Sequence, residues 1–300
     1  MSTKDLIAVR RGVGIRPKTS ARSAINITKK VVTGFLYAIG IIFLLLVFLV
    51  PVYWMVLTAV ESANQVVQNP PLFWVSAPQW DNFVKAFESI DFWHYTKNSL
   101  IVTFSVMILQ FITVIPAAYA FARYRFKGKK ILFSITLLTM MLPAQLTFLP
   151  VYLMFARLKL INNIMTLILP FGASGFGIFM LRQSFMQIPE EILEAARLDK
   201  ASEFTIIRRI MLPMALPTIA MLALFTFITT WNDYFWPLVM TTTDEVQTLP
   251  VGIAGLQNIE VGITQHYVMA GNILMILPVV IVFLIAQKQT IKAFTYTGEK

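Results

Sequence analysis

Apolar residues in this chain come in long blocks separated by short polar stretches. Six blocks are long enough, or nearly so, for a bilayer-crossing helix, which needs about 20 mostly apolar residues. They fall at roughly 31–60, 99–122, 131–156, 164–181, 214–240 and 267–286. The first block meets no charge before Glu61 and lies behind a polar, basic segment. It exceeds the 7–15 apolar residues of a typical cleaved signal peptide, so it reads as an uncleaved first span. The pattern predicts an all-α membrane protein with six transmembrane helices.

The stretches between blocks carry their own signals. The pattern WDNFVKAFESIDF in the loop after the first block predicts a short amphipathic helix with Phe83, Ala86, Phe87 and Ile90 on one face. Pro116, Pro143, Pro150, Pro170 and Pro278 fall inside predicted spans, where a missing backbone donor kinks a helix. Gly172, Gly175 and Gly177 read as a close helix contact. Between blocks four and five, IPEEILEAARLDKASEFTIIRRIMLPMALP is too charged to span. Pro189 suits a first helical position with Glu190 and Glu191 in the positive first turn. Ile192, Leu193 and Leu198 give one apolar face, and Phe204, Ile206, Ile207 and Ile210 a second. Asp199 or Ser202 can cap the second helix. This is a pair of short helices held against the membrane, and Ala195 and Ala196 are small enough for close approach by another protein.

Composition and charge sharpen the picture. Of the 300 residues, 57% are hydrophobic and 13% charged, with mean hydropathy +0.70. Soluble domains carry about 25% charged residues and disordered chains have low hydrophobicity, so the composition argues against both a soluble globule and a disordered chain. The net charge of +10 suits nucleic acid or anionic lipid until it is mapped. With the N-terminus inside and six spans, 21 of the 25 Lys and Arg fall on the cytoplasmic side, as the positive-inside rule requires. The charge is a topology signal and places both termini in the cytoplasm of a multi-pass cell-membrane protein. The chain has no cysteine and two histidines, His94 and His266, which excludes thiolate and multi-histidine metal sites. Trp54, Trp231, Tyr234, Phe235 and Trp236 read as interfacial anchors.

Glu194-Ala195-Ala196, then Asp199-Lys200-Ala201, then Ile210, Leu212 and Pro213 resemble the EAA loop of permease subunits in binding-protein-dependent ATP-binding cassette importers. AAYAFARYRFKGKK, MMLPAQLTFLPVY and TWNDYFWPL are similar to carbohydrate-uptake permeases, most of all the second, six-span subunit of maltose-type transporters. The family usually has glycine where this chain has Lys200. A bend there either keeps an ordinary conformation or strains the lysine. The resemblance implies a type I importer permease fold, divided into a cytoplasmic tail (1–30), a first span with its external loop (31–93), a permease core (94–287) and a cytoplasmic C-terminal tail (288–300). It implies a second, different permease, two ATPase subunits, an external sugar-binding protein and surrounding lipid as partners. No cofactor is expected in this chain, since ATP and Mg belong to the ATPases. In that setting Glu194, Ala195, Ala196, Asp199, Lys200, Ala201, Leu212 and Pro213 couple to the ATPase. Asn232 and Asp233 are candidates for the translocation path, and Gly252, Gly255 and Gln257 for binding-protein contacts.

Two rival classes make different demands. A proton-coupled secondary transporter needs acids or histidines at the midplane, whereas Asp233 lies near a predicted span end and both histidines lie outside the spans. A membrane enzyme needs a catalytic constellation, and neither HExxH nor a Gly-Lys-Ser/Thr phosphate loop occurs.

Overall fold

The computed structural model describes residues 19–257 and 264–295; the N-terminal tail before Thr19, a stretch of the outer loop at 258–263 and the end of the C-terminal tail lie outside the described residues. Helices dominate, and no strand occurs among the described residues. In chain order they are α1 (Thr19–Ala59), α2 (Ala63–Val66), α3 (Asp81–Glu88), α4 (Phe92–Arg123), α5 (Lys129–Thr139), α6 (Ala144–Arg157), α7 (Met165–Ile168) with a 3-10 turn (Leu169–Phe171), α8 (Gly175–Met186), α9 (Glu190–Leu198), α10 (Glu203–Ile206) with a π turn (Ile207–Met211), α11 (Leu212–Met214), α12 (Leu216–Trp231), α13 (Phe235–Met240), α14 (Leu249–Gly255) and α15 (Gln265–Thr295). Two compact units result, Met1–Trp54 and Met55–Lys300.

The first unit holds most of α1. Its described side chains from Val32 to Tyr53 are all exposed and almost all apolar, the composition of a lipid-facing span.

In the second unit α4 is the central element. At 32 residues it is about 48 Å long and contributes to three core clusters. Tyr95 joins Ala59, Ala86, Phe227, Trp231, Leu249 and Ile253. Val102 and Val106 join Phe155, Leu167, Trp236 and Met240. Val114, Ala118 and Tyr119 join Leu181, Phe185, Leu193, Ile206 and Met211. At mid-helix Gln110 donates to the Phe171 carbonyl at 2.9 Å and accepts from Thr226 at 2.8 Å, which satisfies a buried amide across three elements.

Several predicted spans are not single helices. Three helices qualify alone as spans, at Val32–Ala59, Phe92–Arg123 and Gln265–Lys288, and up to five crossings result if each of two bent pairs counts as one. The third predicted span is two helices separated at 140–143, where Pro143 takes an extended backbone and offers no N–H to the preceding turn. The fourth breaks through the turn containing Pro170 and bends by 42°. The fifth stops at Trp231 and resumes as α13. Pro116 and Pro278, in contrast, stay inside continuous helices.

The predicted amphipathic helix is α3. Ala86 is buried, and Phe83 and Ile90 pack against the cluster at the Phe92 end of α4. The loop grouped with the first span on sequence therefore packs with the core, held also by Asn82, whose side chain donates to the Ala59 and Glu61 carbonyls at 2.9 Å each. The expected close glycine contact is present. A Cβ on Gly172 would lie 2.3 Å from Leu109, and one on Gly175 would lie 2.8 Å from the Thr136 carbonyl oxygen.

Candidate functional site: a helix pair clamped to the end of a span

The segment 188–217 folds as two short helices, with a right-angled exit. Pro189 occupies the N-cap of α9, one residue earlier than expected, and Glu190 and Glu191 fill the first turn. Helix α9 ends in a Schellman arrangement: Lys200 N–H bonds the Arg197 carbonyl at 2.9 Å and Ala201 N–H the Ala196 carbonyl at 3.0 Å. Lys200 is the residue just beyond the cap, with φ of 59°. Of the two possibilities for Lys200, the structure takes the strained one, because this closing pattern needs a left-handed residue. Ser202, not Asp199, caps the next helix, accepting from Thr205 N–H at 3.3 Å.

Pro213 lacks the N–H that would bond four residues back. Just before it the chain widens to a π turn, in which Leu212 N–H bonds the Ile207 carbonyl. The run from Glu203 to Met214 then meets α12 at 81°. Leu212 packs against the core, while Pro213 is exposed.

The expected ATPase-coupling residues divide into two sets. Glu194, Ala195, Asp199 and Lys200 are exposed; Ala196 and Ala201 pack partly against the cluster that buries Leu193 and Ile206. Leu198 and Phe204, which periodicity puts on buried faces, are 84% and 72% exposed. The short helices bury only one narrow side, so their remaining apolar side chains project outward.

Sequence reasoning missed what holds this pair in place. Arg123, the last residue of α4, has an 8% exposed side chain. It donates to Glu190 at 2.6 Å, to the Phe185 carbonyl at 2.5 Å and to the Ile188 carbonyl. One guanidinium thus joins α4, the end of α8 and the start of α9. Arg197 bridges Glu190 at 3.2 Å and Glu203 at 3.1 Å, and Tyr119 of α4 donates to Glu203. The Glu203 carboxyl lies below the ordinary glutamate range, first through the Tyr119 hydrogen bond and then through Arg197, against the opposing effect of desolvation. Arg197 is correspondingly held protonated by Glu203. The signal was present as an arginine ending an apolar block, but its partners lie more than 60 residues away.

At the other end of α4 the expectations need revision. Trp231 is fully buried and its indole donates to the Met275 carbonyl at 3.0 Å; Trp236 is buried and donates to the Thr166 carbonyl at 2.8 Å. These two are core residues rather than interfacial anchors, because each indole N–H finds a backbone acceptor inside the bundle. Tyr234 and Phe235 remain exposed. Asn232 is exposed and bonds back to the Ile228 carbonyl at 2.8 Å. Asp233 accepts from Trp236 N–H at 3.3 Å and lines a 210 Å³ cavity with Ser99, Thr229, Thr230 and Thr248. Gly252 is buried, and a Cβ there would lie 2.4 Å from the Tyr95 ring. It therefore packs against α4 and is covered as a surface for another protein, whereas Gly255 and Gln257 are exposed.

A bundle of long and broken apolar helices, with a clamped helix pair projecting from one end, has the build of a membrane transport subunit. Residues 114–294 match the family model "Binding-protein-dependent transport system inner membrane component". The arabinooligosaccharides transport system permease protein AraQ of Halalkalibacterium halodurans is 29% identical over 90% of this chain and 97% of its own length. The sn-glycerol-3-phosphate transport system permease protein UgpE of Salmonella typhi is 33% identical over 76% of this chain and 79% of its own length. Among solved structures, a chain of a bacterial ABC transporter involved in the import of the acidic polysaccharide alginate superposes with a TM-score of 0.76, at 24% identity, over 87% of this chain and 97% of that chain. The chain belongs to the family of binding-protein-dependent transport system inner membrane components. It has the ABC importer permease fold and is a transport subunit rather than an enzyme.

Proposed function

We propose that this chain is one of two different permease subunits of an ATP-driven importer that takes an oligosaccharide-class carbohydrate from an external binding protein. Two partner ATPases supply the hydrolysis, with ATP and Mg bound on them, and both termini of this chain face the cytoplasm with the α9–α10 pair. The observation that carries the reading is the outward face of that pair. Glu194, Ala195 and Leu198 of α9 and Phe204 of α10 are all exposed, on a base fixed by Arg123 and Tyr119. A carboxylate and a small residue let a cleft approach closely, and two projecting apolar groups supply area to bury. The carbohydrate assignment is supported by the near end-to-end similarity to a permease named for arabinooligosaccharides. Asp233, Ser99 and the threonines around the 210 Å³ cavity offer polar groups to the translocation path, and Gly255 and Gln257 are accessible to a binding protein.

Glu194→Lys in the assembled transporter tests the coupling face. Membrane insertion is expected to survive while ATP-dependent uptake and ATPase binding are lost. Normal uptake with normal ATPase binding would refute the assignment.

A further inference from the structure

Helix α4 turns into α5 through 124–128, with Gly128 at φ of 83°. A groove of 520 Å³ opens beside this turn, lined by Arg125, Phe126, Gly128, Lys129, Lys130 and Ile131. Its charge is one-sided. No Asp or Glu lines it, and Glu190 and Glu203, at the same end of α4, are already engaged by Arg123 and Arg197. None of Arg125, Lys127, Lys129, Lys130 and Arg182 makes an ion pair among the described residues. Arg182 is fixed on α8, its Nε donating to the Phe121 carbonyl at 3.0 Å and its guanidinium 4.3 Å over the Phe133 ring. Lys129 lies below the usual lysine range, first through desolvation and then through repulsion by Arg182 and Arg125. Lys129 and Lys130 also occupy the first turn of α5, where cations oppose the helix dipole and no acid compensates. The apolar part of the lining, Phe126 and Ile131, is 40% and 68% exposed beside these cations.

A site that concentrates unpaired positive charge next to exposed apolar side chains, at the end of a membrane span, matches one chemistry: a phosphodiester with hydrocarbon attached. We propose that this groove binds the headgroup of an anionic phospholipid, with Arg125, Lys129 and Lys130 on the phosphate and Phe126 and Ile131 against the first acyl carbons. The assignment rests on the membrane location of the family and is independent of which leaflet the turn faces.

The test uses the full-length chain, purified in neutral detergent and exchanged into mixed micelles of phosphatidylglycerol and phosphatidylcholine. Native mass spectrometry reads retained lipid. Each basic residue near an anionic membrane surface contributes roughly fivefold in affinity. A variant carrying Arg125→Gln, Lys129→Gln and Lys130→Gln is therefore expected to bind phosphatidylglycerol about a hundredfold more weakly. A charge-matched variant at exposed positions elsewhere, Arg208→Gln, Arg209→Gln and Lys288→Gln, is expected to retain it. Phosphatidylglycerol is also expected to raise the thermal midpoint of the wild type but not of the groove variant. Equal retention by the groove variant, or equal loss in both variants, would overturn the site. So would retention of phosphatidylcholine to the same degree, or displacement of the lipid by millimolar inorganic phosphate, which would make the site one for free anions.

Discussion

Arg123 offers the sharpest test of how the helix pair is held. Replacing it with alanine leaves the Phe185 and Ile188 carbonyls without their charged donor and Glu190 without its close partner. Hydrogen bonds to charged groups contribute about 1.5–3 kcal/mol each, so the two carbonyls together account for about 3–6 kcal/mol. The Glu190 side chain is 47% exposed, and an ion pair so screened contributes about 0–1 kcal/mol. Against these, the Arg123 Nε is buried without a partner, and its removal relieves about 1–3 kcal/mol of desolvation. The net loss for Arg123→Ala is about 3 kcal/mol, and that for Glu190→Gln is at most about 1 kcal/mol. Denaturant unfolding of the full chain in detergent, followed by tryptophan fluorescence, measures both. If Glu190→Gln costs as much as Arg123→Ala, the carbonyl contacts are not what anchors the helix pair.

Lys200→Gly is expected to stabilise the chain by about 1 kcal/mol, since it removes a left-handed lysine from the Schellman position; a lower unfolding midpoint would contradict the strain. Gly252→Ala is expected to cost about 1–3 kcal/mol through overpacking against the buried Tyr95 ring, read as a lowered thermal midpoint. Because the Glu203 carboxyl is depressed in the folded chain, its contribution to stability is complete above the ordinary glutamate value of about 4.3 and is lost as pH falls through the folded value. Hydrogen exchange in α9 and α10 should therefore accelerate across that acid range, and Glu203→Gln should remove the acid-dependent step.

Much of this molecule is legible locally because a bilayer imposes composition on the segment that crosses it. The apolar blocks, the charge distribution, the amphipathic α3 and the charged α9–α10 segment all follow from a few neighbouring residues. So did the strain question at Lys200, although sequence alone left both answers open. Where α4, α8 and α9 meet is a different matter. Tyr119 and Arg123 lie 67 or more residues from the Glu190 and Glu203 they bond, and each alone reads as an ordinary charged or aromatic residue. Trp231 and Trp236 show the same limit: a tryptophan at a span end suits an interface until a carbonyl from another helix accepts its N–H.

Membrane residence and the position of the helix pair along the chain follow from composition and local pattern. Which prolines break a span and which are absorbed, and which apolar side chains of α9 and α10 remain outside, emerge from packing in three dimensions. The same packing covers Gly252 and lets one arginine tie three elements together. The reason is physical: crossing lipid constrains every residue of a segment at once, whereas packing and hydrogen bonding depend on which distant segment arrives beside it.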